Sequence, residues 1–169
     1  VTACGGGDSS SLPQLAPAQA AAFTGDCADV AARIAALLNT VVNAVNKIAA
    51  GTVKLAGQDV PEHCQLLGRT HSRTSAVDGK AYAIGFEMRL PEDWNGRFCY
   101  QAYGGSDGVI WPALGSQPGP QPTVALQQGF AVVSSDAGHT GQSNLAFGID
   151  FQARLDYGYQ AVAKLTPMA

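Results

Sequence analysis

Arg97-Phe98-Cys99-Tyr100-Gln101-Ala102, running into Tyr103-Gly104-Gly105, and Phe130-Ala131-Val132-Val133-Ser134, closed by Ser135-Asp136-Ala137-Gly138-His139, decide how this chain is read. Each begins as a short apolar run of the kind that forms a buried strand. Between them lies Gly104 to Gln121, rich in Gly and Pro, a long connection of the sort that carries function. A short helix follows over Thr123–Gln128, stopped by Gly129. An apolar strand entered from a helix predicts a parallel βαβ unit and an α/β fold.

Upstream, the pattern is antiparallel. In Ala81–Leu90 the residues Tyr82, Ile84, Phe86, Met88 and Leu90 alternate with Ala83, Gly85, Glu87 and Arg89, which predicts a half-buried strand. Asp78-Gly79 is a hairpin turn signal, pairing that strand with one that begins at Cys64 and runs to Thr70. Thr40–Ile48 has the β-branched content of a further strand. Asp26 is placed to cap a helix over Ala28–Leu38, with Val30, Ile34, Leu37 and Leu38 on its buried face. Downstream, Asp150–Lys164 reads as a helix burying Phe151, Leu155, Tyr159 and Val162. Antiparallel strands leading into a parallel sheet with flanking helices is how an α/β-hydrolase sheet begins. The expected organisation is a tether over residues 1–22 and the N-terminal portion of such a domain over 23–169, incomplete.

The chain has 169 residues, enough for one core. Its net charge of −3 and scattered Lys and Arg give no phosphate-backbone footprint, so no nucleic-acid partner is expected. No apolar run approaches the length of a membrane helix. Val1-Thr2-Ala3-Cys4, followed by Gly5-Gly6-Gly7-Asp8, resembles a bacterial lipobox with its spacer, making Cys4 a lipidation candidate; the bland alternative is a tail that happens to carry a Cys. A lipid there is the one expected link to a membrane. Of the other cysteines, Cys27 and Cys64 are the expected disulfide of an oxidising compartment, and Cys99 is read as a buried free thiol unless its partner lies elsewhere. No close Cys pair has zinc spacing, so no metal is expected.

An ester hydrolase needs backbone N–H donors where negative charge develops, and in α/β-hydrolases one donor comes from the loop after the third strand. Tyr103-Gly104-Gly105-Ser106-Asp107-Gly108 suits that task, or is a plain glycine turn. Asp136 and His139 stand too close in one loop to form a catalytic relay with Ser134 or Ser135, and are read as a hydrogen-bonded strand end beside the cleft. His63 and His71 read as satisfied or solvated, and Glu87, Glu92 and Asp93 as solvated charges. Trp111 either lines a site for a flat ring or anchors its loop.

Pro61-Glu62-His63-Cys64, Arg73-Thr74, Asp78-Gly79, Trp94-Asn95-Gly96-Arg97-Phe98, Ser135-Asp136-Ala137-Gly138-His139 and Ala146-Phe147-Gly148-Ile149-Asp150-Phe151 through Tyr159 resemble the tannase/feruloyl esterase family over about residues 25–166. Within it they are most similar to the branch acting on terephthalate monoesters. The resemblance implies a secreted or lipid-anchored serine carboxylic-ester hydrolase of aromatic acid esters, of feruloyl, galloyl or terephthaloyl type. It implies an oxyanion N–H at Gly105, with Gly104 beside it, and a Cys27–Cys64 disulfide; Gly104, Ser106 and Trp111 are the candidate substrate contacts. The nucleophile, acid and base are expected beyond Ala169, with no cofactor in this segment and a calcium site only in a lid elsewhere, so the chain alone is expected to be inactive. The glycine loop departs from the family's forms at Tyr103 and Asp107, which leaves the ester open. The alternative is a non-catalytic surface binding lipoprotein built on a hydrolase-derived scaffold.

Overall fold

The computed structural model describes residues 16–23, 25–116, 121–142 and 145–169. Cys4 and most of the expected tether lie outside them. The end of that stretch is ordered earlier than expected: Ala21–Ala22 (β1) pairs antiparallel with Asp93–Trp94 (β7), and Phe23 N–H donates to Glu92 O at 2.8 Å.

The first helix, Cys27–Ala35 (α1), starts where Asp26 was expected to start it. Asp26 accepts from the Asp29 amide while Asp29 reaches back to the Asp26 amide, a reciprocal capping box. The helix stops short of Leu38. Ile34 is buried, but Leu37 is exposed and Leu38 is 84% exposed, because the chain turns at Ala36 to enter the next strand.

Thr40–Ile48 (β2) is an edge strand, bulged between Val42 and Ala44. A small hairpin, Lys54–Leu55 (β3) with Gln58–Asp59 (β4), precedes His63–Thr74 (β5), which outruns the expected Cys64–Thr70. The Asp78-Gly79 turn joins it to Ala81–Pro91 (β6), with Gly79 at φ +69° and the Ser75 hydroxyl accepting from the amides of Val77 and Asp78. Phe98–Gln101 (β8) and Ala131–Ser135 (β9) complete a mixed sheet in the order β2-β5-β6-β9-β8. All its neighbours are antiparallel except β8 and β9, which run parallel, as the apolar run after a helix predicted.

One face of the sheet packs Leu66, Ile84, Phe86, Met88 and Val133 against Ile34 of α1 and Ala161 and Leu165 of the C-terminal helix. Phe86 lies over Gly68, where a Cβ would stand 2.5 Å from its ring. The Cys27–Cys64 disulfide ties α1 to β5. The other face gathers Val60, Ala113, Val124, Leu126 and Val132.

Two expectations are corrected here. β6 is central rather than half-exposed, so its polar face is buried as well. Glu87 is no solvated charge: it accepts from Arg89 Nε at 2.6 Å, Gln65 Nε2 at 3.2 Å and the Ala113 amide at 3.2 Å. A buried carboxylate is tolerated because all three donors converge on it. The other correction concerns the C-terminal helix, which is α-helical over Phe151–Leu155 (α2), π-helical over Asp156–Gln160 and α-helical again over Ala161–Leu165 (α3). Its buried residues are Ala153, Asp156, Ala161 and Leu165, while Phe151, Tyr159 and Val162 face outward. The step of five from Asp156 to Ala161 is the π turn, which resets the phase on which the expected face depended. Asp150 caps α2 through the Ala153 amide and holds Arg73 in a two-point ion pair at 2.5 and 3.0 Å.

Candidate active site

β8 and β9 are parallel neighbours, so their carboxyl ends open on the same rim of the sheet. In α/β sheets that rim, where strand order doubles back, is where ligands are bound. The glycine loop leaves the end of β8, and Ser135-Asp136-Ala137-Gly138-His139 leaves the end of β9.

The two loops are tied together. Gly108 N–H donates to Asp136 O at 3.2 Å, and Gly141 N–H donates back to Gly108 O at 2.9 Å. Asp136 in turn anchors to β6. One carboxyl oxygen accepts from the amides of Gly85 and Gly138, both at 2.9 Å. A Cβ on Gly85 would stand 2.6 Å from the other carboxyl oxygen. Burial pushes the Asp136 carboxyl up to about 6, against the pull of those amides and with a further push from nearby Asp107. Ser135 Oγ accepts from the Ala137 amide, and Ser134 donates to Trp111 O. The expectation of a hydrogen-bonded strand end holds.

His139 is buried, and its ring stacks on Phe147 with centroids 3.8 Å apart. Neither ring nitrogen has a hydrogen-bond partner among the described residues. Burial lowers its pKa more than the neighbouring Ser106 backbone raises it, so the ring is neutral at pH 7. Among the described residues no carboxylate or hydroxyl hydrogen-bonds to the ring, as a relay would need. His63 is satisfied between Pro61 O, at 2.7 Å from Nδ1, and Arg89, while His71 Nδ1 lies 2.8 Å from Thr70 Oγ1. Cys99 is a half-buried free thiol.

In the glycine loop, Gly105 stands at φ +76°, a conformation costly to any residue with a Cβ. A Cβ on Gly104 or Gly105 would meet nothing within 4 Å. The Gly105 N–H has no acceptor among the described residues. Its carbonyl accepts from the Tyr157 hydroxyl at 3.0 Å. Tyr103 stacks on half-buried Trp111 with centroids 4.7 Å apart and planes 13° from parallel, which makes an aromatic wall beside the loop. Burial raises the Asp107 carboxyl, partly offset by the Tyr103 amide.

Gly104-Gly105-Ser106-Asp107-Gly108 also satisfies the Gly-x-Ser-x-Gly pattern of a nucleophile turn, which reading the segment as an oxyanion loop passed over. The structural context does not match. A nucleophile elbow leads from strand directly into helix with its hydroxyl exposed. Here no helix follows directly, and the Ser106 hydroxyl is buried without a partner among the described residues.

A cavity of about 640 Å³ shares Asp136 and His139 with this region but continues along Arg69, Arg73, Tyr82 and Gly85, away from Gly105 and Trp111. Among the described residues no cluster of three or more His, Cys, Asp or Glu is placed to hold a metal, and no helix is long and apolar enough to cross a membrane. Tyr157 and Phe147 are the residues of this site that sequence reasoning passed over. Both sat in a matched motif, but nothing in their spacing aims them at the loops.

Three comparisons bear on this arrangement. The family described as tannase and feruloyl esterase, whose fold is the α/β-hydrolase, matches residues 64–169. Over 115 residues the chain is 40% identical to the mono(2-hydroxyethyl) terephthalate hydrolase of Piscinibacter sakaiensis, a match covering 63% of this chain and 19% of that protein. It is 32% identical over 115 residues to the uncharacterized esterase Atu5261 of Agrobacterium fabrum, covering 64% of this chain and 20% of that protein. The chain thus spans about a fifth of the length of these curated relatives.

Proposed function

Because this chain belongs to the tannase and feruloyl esterase family, we propose that it forms part of a serine carboxylic-ester hydrolase acting on esters of aromatic acids. The observation that carries the reading is Gly105: an amide at the carboxyl end of a parallel strand, unused by the described residues, on a loop with open space above it. When a serine oxygen adds to an ester carbonyl, negative charge gathers on the carbonyl oxygen. A fixed N–H at that point stabilises the tetrahedral intermediate more than the substrate, by about 10²–10³ in rate. The intermediate then expels the alcohol, and water releases the acid from the serine.

On this reading the serine, its base and the orienting acid come from sequence outside residues 1–169, and the chain by itself turns over no ester. Gly104 and Ser106 border the bound carbonyl. The Tyr103–Trp111 stack supports a planar acid, as an aromatic face favours a flat ring. The Cys27–Cys64 disulfide supports export to an oxidising compartment, and a lipid on Cys4 is the proposed anchor.

The test is to assay the complete polypeptide on hydroxycinnamate, gallate and terephthalate esters, beside Gly105→Ala. Turnover of one class is expected. An L side chain at φ +76° costs about 1–2 kcal/mol, which the loop relieves by rotating away from that conformation and taking the residue 105 amide off the oxyanion, so kcat is expected to fall about tenfold. No turnover of any class, or an unchanged kcat in Gly105→Ala, overturns the reading.

A further inference from the structure

Gly105 follows another glycine, has no neighbour within 4 Å of its Cβ direction, and lies in an exposed loop. Two adjacent glycines have more backbone freedom to lose than any other pair. An amide that must be fixed before charge develops cannot be left to them alone. Among the described residues, the Tyr157 hydroxyl holds the peptide between Gly105 and Ser106, donating to the Gly105 carbonyl at 3.0 Å and so fixing the residue whose own N–H lies one torsion pair upstream. That bond comes from fifty-two residues away in sequence, so it fastens the loop to a separate element.

The element is suited to the task. Tyr157 sits in the π-helical turn Asp156–Gln160, and π turns inside α-helices recur at functional sites. The turn lets the helix keep Ala153 and Asp156 buried before it and Ala161 and Leu165 buried after it, while Tyr157 lies toward the loops. The Tyr157 ring is braced against Phe147 and His139, with centroids 5.3 and 5.8 Å away. His139 in turn lies against Gly108 of the glycine loop, where a Cβ would stand 2.8 Å from its ring. Tyr157 is 39% exposed, and its ring is braced on one side by these two aromatic contacts. A carbonyl that accepts a hydrogen bond also strengthens its own peptide's N–H as a donor, here that of Ser106.

We infer that Tyr157 is a positioning residue for the ester-hydrolysing site: its hydroxyl locks the Gly105 carbonyl so that the glycine-loop amides point at the oxyanion. The inference rests on the proposed role of Gly105 and adds a residue that role does not require. Tyr157→Phe removes one oxygen and keeps the ring on Phe147 and His139; Tyr157→Leu removes both. In the complete polypeptide, assayed on hydroxycinnamate, gallate and terephthalate esters, Tyr157→Phe is expected to lower kcat about 3- to 10-fold and leave KM within about twofold, since a single hydrogen bond acting in the transition state is lost. Amide hydrogen exchange at Gly105 and Ser106 is expected to speed up by a similar factor, with Val132 and Val133 of β9 unchanged. A Tyr157→Phe enzyme that matches wild type in kcat and in loop exchange, with only Tyr157→Leu defective, overturns the inference and leaves the ring as packing alone. If the wild type turns over none of the esters, the hydrolase reading fails and the catalytic role with it. The exchange measurement then decides separately whether the hydroxyl holds the loop.

Discussion

Replacing Asp136 with Asn tests the electrostatics of the strand end that carries the glycine loop. The Asp136 carboxyl is buried, and its pKa rises from the ordinary 3.8 to about 6. The native state therefore keeps this proton in a range where the unfolded chain has released it. The sign follows from linkage. Well below pH 3.8 both states are protonated and the group is neutral in the balance. Between pH 4 and 6 the native state holds more protons, so stability falls as pH rises, and above 6 the full cost of the buried charge is present. The rise is worth about 3 kcal/mol at 1.36 kcal/mol per unit of pKa. Asparagine keeps an oxygen to accept from Gly85 and Gly138 and carries no charge. Denaturant unfolding of wild type and Asp136→Asn, from pH 4 to 7.5, should show a difference of about 0.5 kcal/mol at pH 4 that grows to about 3 kcal/mol in favour of Asn by pH 7. The repulsion from Asp107 is part of that rise, and it is lost with the charge in the Asn variant. A difference that does not change with pH, or that grows in favour of Asp, would refute this account.

The disulfide offers a further check. Cys27 and Cys64 are 37 residues apart, and closing a loop of that length restricts the unfolded chain by about 4 kcal/mol in the chain-entropy picture. Cys27→Ser/Cys64→Ser, or reduction, should lower the unfolding free energy by that order, with a steeper denaturant slope because the unfolded chain is no longer cross-linked. Gly68→Ala should cost about 3 kcal/mol in the same measurement, because the new methyl would lie 2.5 Å from the Phe86 ring and 2.6 Å from the Val41 carbonyl, which is backbone and cannot swing away. Pairing it with Phe86→Leu should recover part of that loss, since the ring is then gone and the carbonyl remains.

Local chemistry that acts within a few residues was legible. Asp26 and Asp29 announce a helix start, Asp78-Gly79 announces a turn, and the Ala81–Leu90 alternation announces a strand, and each stands where it was expected. Partnering across the sheet was not. Glu87 and Arg89 look like a solvent face until β9 and the Ala113 amide cover them. The face of the last helix was misread for a specific reason. A period of 3.6 was carried from Phe151 to Val162 across a turn that holds one extra residue, and beyond that turn every position is out of phase. The candidate site divides in the same way. Gly105 is legible as a glycine at the end of a strand. Tyr157 is not, because its bond to Gly105 depends on that extra residue and on the packing of Phe147 and His139.

The contact between Gly85 and Asp136 links two positions that lie far apart in the chain. The space a side chain would need at residue 85 is occupied by the carboxyl that fastens the end of β9. Neither position can drift on its own: a larger residue at 85 expels the carboxylate, and a shorter one at 136 leaves two buried amides without an acceptor. Sequences that build this strand end should therefore keep both residues or change both together, and a chain that matches only one of them has found another way to hold its glycine loop.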